Sequence, residues 1–176
     1  MGTELSSERL DLRPLAVTDG DALHALWTTE PVRRHLWDGE VIPRRQTDAL
    51  LAENAARFDV LGSGLWGLYP RSGSELVGFA GYWPFHDPPR LELLFGLAEA
   101  WQRRGLAAEA SRVVIEYGRE RLGFERVLAS TDAANTASQR LLEVLGLRCT
   151  DRKASDGRET LFYELALLPA PSRERP

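Results

Sequence analysis

Two hairpin patterns constrain the fold of this chain more than any other feature. Residues 65–69 and 75–82 are strand-like runs flanking the turn Arg71-Ser72-Gly73-Ser74, and residues 147–153 and 158–165 flank Ser155-Asp156-Gly157. Short apolar runs joined by such turn residues pair antiparallel. Residues 91–97 form a third run after the first hairpin, residues 9–13 alternate polar and apolar, and residues 126–130 read as a buried strand. Helical spacing fills the gaps. Leu23, Leu26 and Trp27 follow a capping-box-like Thr18-Asp19-Gly20-Asp21, and a second helix spans 47–58. A third covers about 106–122, with Ala107, Ala110, Val114 and Tyr117 on one side. A fourth covers 135–145, with Ala137, Leu141, Val144 and Leu145 as its core face. Residues 31–43 and 84–89 carry prolines and read as irregular. The order β-α-α-β-β-β-α-β-α-β-β predicts an α/β (α+β) domain. Its sheet is mixed, mostly antiparallel and of about seven strands, with helices on both faces. The domain spans residues 1–168, and the polar, Pro-rich residues 169–176 form a frayed tail.

Composition narrows the function. A chain of 176 residues is long enough to bury one sizeable core. The net charge of -4 gives no support for nucleic-acid binding, which needs a clustered basic surface. Cys149 is the single cysteine, so an intrachain disulfide and a cysteine-based metal site are excluded, and no metal is expected. No apolar run approaches the ~20 residues of a membrane helix, and residues 1–10 lack the pattern of a signal peptide. A cytoplasmic protein without membrane attachment is the expectation.

The segment that carries chemistry runs from Leu97 through Gln102, Arg103, Arg104 and Gly105 to Leu106 and Ala107. A strand ends, a short loop follows, and a helix opens at a glycine. First-turn amides have no partner inside the helix, and the helix dipole adds positive character there, so the place suits an anion. Gly105 permits close approach to the backbone, and two arginines add charge. A pyrophosphate would fit; a plain loop glycine between solvated arginines is the alternative. Gly62-Ser63-Gly64-Leu65-Trp66-Gly67 matches G-x-G-x-x-G but follows a helix and enters a strand. That order is the reverse of what a dinucleotide site requires, so we set it aside.

The pattern Gln102, Gly105, Ala107 at a helix start resembles the acetyl-CoA loop of the GNAT acetyltransferases. Residues 91–97 look like the strand before that loop. Asn135-Thr136-Ala137-Ser138, running to Glu143-Val144-Leu145-Gly146, looks like the N-x-x-S…E-x-x-G helix of the family. The opening Glu8-Arg9-Leu10-Asp11-Leu12-Arg13-Pro14 resembles the RimJ/RimL-like branch, which acetylates ribosomal-protein amino termini. The resemblance covers about residues 8–165. It implies the GNAT fold, with the sheet splayed after residues 91–97, and acetyl-CoA as co-substrate. The pantetheine arm would pair near Phe95, Gly96 and Leu97, the pyrophosphate would rest on residues 103–107, and Asn135 would bind the arm or simply cap its helix. The acceptor would be an amine, either a protein N-terminus or a small molecule, and a homodimer is within the family's repertoire.

Such a reaction needs a proton taken from the amine and a proton source near the departing thiolate. Glu92, on the expected strand, is the candidate base, and a solvated strand glutamate is the alternative. Many relatives carry a tyrosine acid where this chain has Leu142, which cannot donate. Ser138 is the nearest substitute, though an ordinary residue of the first helical turn would also be serine there. Leu94-Phe95 stands where the family often has Gly-Tyr, and Gly146-Leu147 where it has Gly-Phe. His35, Trp37, Asp38 and His86 lie in segments that could face the acceptor. The missing tyrosine also motivates a rival expectation, an acyl-CoA-binding GNAT module without turnover.

Overall fold

The computed structural model describes residues 3–155 and 157–168. The expected tail at 169–176 and the middle of the last turn, Asp156, lie outside the described residues. Among the described residues, eight strands and five α-helices follow one another: β1 (Leu5–Ser6), β2 (Leu10–Pro14), α1 (Gly20–Trp27), α2 (Glu30–Leu36), α3 (Arg44–Leu61), β3 (Leu65–Pro70), β4 (Gly78–Phe85), β5 (Arg90–Leu97), α4 (Leu106–Arg121), β6 (Arg126–Asp132), α5 (Thr136–Val144), β7 (Arg148–Ser155) and β8 (Arg158–Ala166). Every ladder is antiparallel. β1 to β5 make one five-stranded sheet in chain order, and β6, β8 and β7 make a second. β5 lies against β6 without a ladder between them. The expected single sheet is therefore two, parted at the place where a splay was foreseen.

Alternation along the strands builds two cores. On β3, Trp66 and Leu68 enter one core while Leu65 enters the other; on β4, Ala80 and Tyr82 oppose Phe79. The first core takes Leu106, Ala110, Val114 and Tyr117 of α4 and Leu142 of α5. The second takes Leu23, Leu26 and Trp27 of α1, Val32 of α2 and Leu51 of α3. A strand with apolar residues on both sides needs cover on both faces, and the helices supply it. Asn54 of α3 is buried and donates to the Leu15 and Leu65 carbonyls (2.9 and 3.0 Å) while accepting from the Leu65 amide (2.7 Å). It thereby pins α3 across the strand ends, where open backbone groups would otherwise be buried unpaired.

Three sequence expectations are corrected. Residues 31–43 are not irregular throughout, because Glu30–Leu36 is a helix with Pro31 in its first turn. Proline is accepted there, since that amide has no helical partner anyway. Pro84 belongs to β4, at a position past the last residue paired with β3. The core face of α5 is also displaced: Leu142 is its buried residue, and Val144 is 63% exposed. Ala137, Ser138 and Leu141 instead face a cavity. The 3.6-residue period fits both stripes, and only packing separates them. Gly62 ends α3 with φ of 65° and Gly67 lies inside β3, so the G-x-G-x-x-G match opens no helix.

Candidate active site

The gap between β5 and β6 opens into a cavity of about 640 Å³. One wall is the end of β5 with the loop and first turn of α4; the other is β6 with the start of α5, and α2 closes a third side. Of the predicted cofactor residues, Phe95, Gly96, Leu97, Gln102, Arg103, Gly105, Leu106, Ala107, Asn135 and Ser138 all line it. Arg104 does not; its guanidinium lies over the Trp101 ring, 5.2 Å from the centroid.

Backbone groups dominate this side. Gly105 precedes α4 with φ of 78° and no side chain caps the helix, so its first-turn amides are left to another partner. The Ala98 amide donates to the Val77 carbonyl (2.9 Å). Backbone polar groups alternate sides along a strand, so those of Phe95 and Leu97 point away from β4, into the gap. The Leu97 carbonyl confirms the direction by accepting from Gln102 Nε2 (3.0 Å), which also ties the loop to the strand. A second tie was not visible in the sequence. Arg9 donates through Nη1 to the Arg104 carbonyl (3.0 Å) and through Nε to Glu109 Oε2 (2.7 Å). Glu109, in the first turn of α4, also accepts from the Arg9 amide (2.8 Å) and from Ser7 Oγ (2.6 Å). Desolvation raises the pKa of Glu109, but the donors from Ser7 and Arg9 outweigh it and hold the pKa below the ordinary 4.5. On the facing wall Asn135 Oδ1 accepts from the Ser138 amide (3.1 Å), so Asn135 is an N-cap as well as a cavity residue. An uncapped helix start, outward strand amides and a cationic Arg103 together fit a ligand with a phosphate and an amide chain.

The predicted catalytic and acceptor residues are distributed differently. Glu92 sits on β5 but is 1% exposed and behind the cavity wall. Its Oε2 accepts from Ser130 Oγ (2.5 Å), and His86 Nε2 lies 3.1 Å from Oε1. Oε1 takes no hydrogen bond among the described residues; His86 Nε2 is in hydrogen-bonding geometry with Ser130 Oγ instead (3.3 Å). His35 borders the cavity with Nδ1 3.6 Å from Asp132 Oδ2. Trp37 packs edge-on against Trp27 (5.4 Å between centroids), and Asp38 pairs with Arg158 of β8. Neither reaches the cavity wall. Leu142 is fully buried yet borders the cavity, and no tyrosine does so among the described residues. Ser130 escaped the sequence reading: an isolated serine in a strand gives no signal until its neighbours are known.

A family model described as an acetyltransferase (GNAT) domain matches residues 9–148. The uncharacterized N-acetyltransferase YoaA of Bacillus subtilis is 28% identical over 145 residues, covering 82% of each chain. Among solved structures, a GnaT-family acetyltransferase from Bordetella pertussis superposes with a TM-score of 0.82 at 28% identity, over 93% of this chain and 99% of that one. RimL, a ribosomal alpha-N-protein acetyltransferase in complex with coenzyme A, superposes with a TM-score of 0.76 at 16% identity, over 94% of this chain and 98% of that one. At that identity the RimL likeness shows the fold alone.

Proposed function

We propose, from the premise that this chain belongs to the GNAT acetyltransferase family, that it transfers acetyl from acetyl-CoA to a primary amine by direct attack. The observation that carries the reading is the uncapped start of α4 at Gly105, set beside the outward backbone of Phe95 and Leu97 in one cavity. Acetyl-CoA, when bound, supplies an acetyl group activated as a thioester. Residues 103–107 would hold its pyrophosphate, and Phe95, Leu97 and Asn135 its amide chain. Glu92 acts as general base and accepts the proton lost by the amine nitrogen. Ser138, bordering the cavity from the first turn of α5, offers its Oγ proton to the departing sulfur, a task Leu142 cannot perform. The acceptor enters past α2, where Glu30 and His35 border the cavity. The opening at residues 8–14 favours the RimJ/RimL-like branch and hence a protein amino terminus as acceptor.

Calorimetric titration with acetyl-CoA tests the reading. Saturable one-to-one binding at micromolar affinity, about -8 kcal/mol, is expected, followed by thiol release when amines and free-N-terminus peptides are added. Absence of binding overturns the cofactor assignment. Binding without release from any amine favours the second reading, an acyl-CoA-binding module, which the buried Leu142 motivates.

A further inference from the structure

We propose that Ser130, Glu92 and His86 form a proton relay running from the cavity to solvent. The inference rests on the assignment of Glu92 as base and adds the route by which it works. At 1% exposure and behind the cavity wall, Glu92 cannot meet an amine directly. Ser130 can: it borders the cavity from β6, and its Oγ stands 2.5 Å from Glu92 Oε2. The other carboxylate oxygen faces His86 Nε2 at 3.1 Å, and the same nitrogen is 3.3 Å from Ser130 Oγ. The His86 side chain is 33% exposed, so the chain of contacts ends in water.

The arrangement is a poor one for stability alone. A desolvated carboxylate with one oxygen lacking a hydrogen-bond donor is costly, and an apolar residue of similar size would pack there more favourably. The histidine is also held with care. Its φ is 70°, in the left-handed region, and its ring lies 5.3 Å from that of Phe162. Arg90 and Lys153 also sit over the Phe162 ring (5.4 and 5.2 Å), and Asp87 follows His86 in the chain.

The steps balance. The ammonium of the acceptor passes a proton to Ser130 Oγ as the Ser130 proton moves to Glu92 Oε2, leaving a neutral amine, an intact serine and a protonated Glu92. The carboxyl proton then returns to Ser130 Oγ as the serine proton passes across the 3.3 Å contact to His86 Nε2, which is unprotonated in the Nδ1–H tautomer; the carboxylate is restored, and the imidazolium releases its Nδ1 proton to water. Ser130 touches the reacting nitrogen; His86 acts through Ser130 and clears the base between turnovers.

Two measurements decide it. In the protein without ligand, imidazole ¹⁵N signals of His86, identified by their loss in His86→Ala, should move in both Glu92→Gln and Ser130→Ala. Unmoved signals overturn the contact. With the amine found by thiol release, Ser130→Ala should lower kcat about tenfold or more, with amine KM and acetyl-CoA affinity within about twofold of wild type. Ser130→Thr, which keeps the hydroxyl, should recover most of the rate and guards against a folding defect. His86→Ala should be slowed less and recover with added imidazole. If Glu92→Gln is slow while Ser130→Ala and His86→Ala turn over normally, Glu92 remains the base and the relay is wrong. If Glu92→Gln itself turns over normally, the base assignment fails and the relay with it.

Discussion

The two sides of the cavity are built from different materials. The side formed by the end of β5 and the start of α4 presents backbone: the amides after Gly105 and the polar groups of Phe95 and Leu97. The side formed by β6 and the start of α5 presents side chains, and Ser130 there is backed by Glu92 of β5 and by His86, which meet it behind the wall. Backbone recognition tolerates most substitutions that leave the chain path intact, because it depends on shape and on amides every residue has. Side-chain chemistry tolerates few, because one atom carries the function.

Substitution at each wall can break this comparison. Gly105→Trp should act most strongly. The position has a φ of 78°, strained for any side chain, and a Cβ there would meet Arg9 Nη2 at 3.6 Å, so tryptophan would disturb the backbone and the Arg9 tie that set the first-turn amides. Acetyl-CoA affinity should fall by about 100-fold or more in calorimetry, since about 2.7 kcal/mol suffices for that loss. Unchanged affinity would move the phosphate site elsewhere. Glu92→Gln comes next and should separate the walls, lowering kcat by about 100-fold while leaving calorimetric cofactor affinity near wild type. Parallel losses of both would mean that the two sides are not independent. Ser138→Ala should slow turnover by about tenfold, or ~1.4 kcal/mol in the barrier; an unaltered single-turnover rate leaves Ser138 as a helix-start residue only.

The smallest effect concerns the brace behind the backbone wall. The pKa of Glu109 is lowered in the folded chain, so its stabilising contribution is complete above the ordinary value of 4.5 and is lost as pH falls through the lower folded value. The melting temperature of Glu109→Gln should therefore lie below wild type at about pH 6, with the gap narrowing toward about pH 3. A constant gap would mean that packing, and not charge, holds Ser7 and Arg9 to α4.

Legibility in the sequence follows the same division. The hairpins, the helix opening at Gly105 and the Asn135 cap rest on residues adjacent in the chain, and they stand where the spacing put them, with element ends moved by a few residues. The direction of the Arg104 side chain is not legible from its neighbours in the loop: its guanidinium lies over Trp101. Trp37 and Asp38 do stand in the turn that follows α2, but they pack on Trp27 and pair with Arg158 rather than line the cavity, which local spacing does not encode. Val144 was assigned to the core by a period that fits two stripes of α5 equally well.

What this sequence determines by itself is therefore local: which stretches are strands or helices, where helices start and stop, and where a bare helix start can receive an anion. Those features depend on backbone preference and on spacing within one or two turns. Only the tertiary structure brings Ser130 to Glu92, 38 residues away, and Ser7 to Glu109, 102 residues away. Contacts of that span are set by how two sheets and five helices bury their apolar faces, and no local pattern in the chain encodes which polar atoms then come within hydrogen-bond distance.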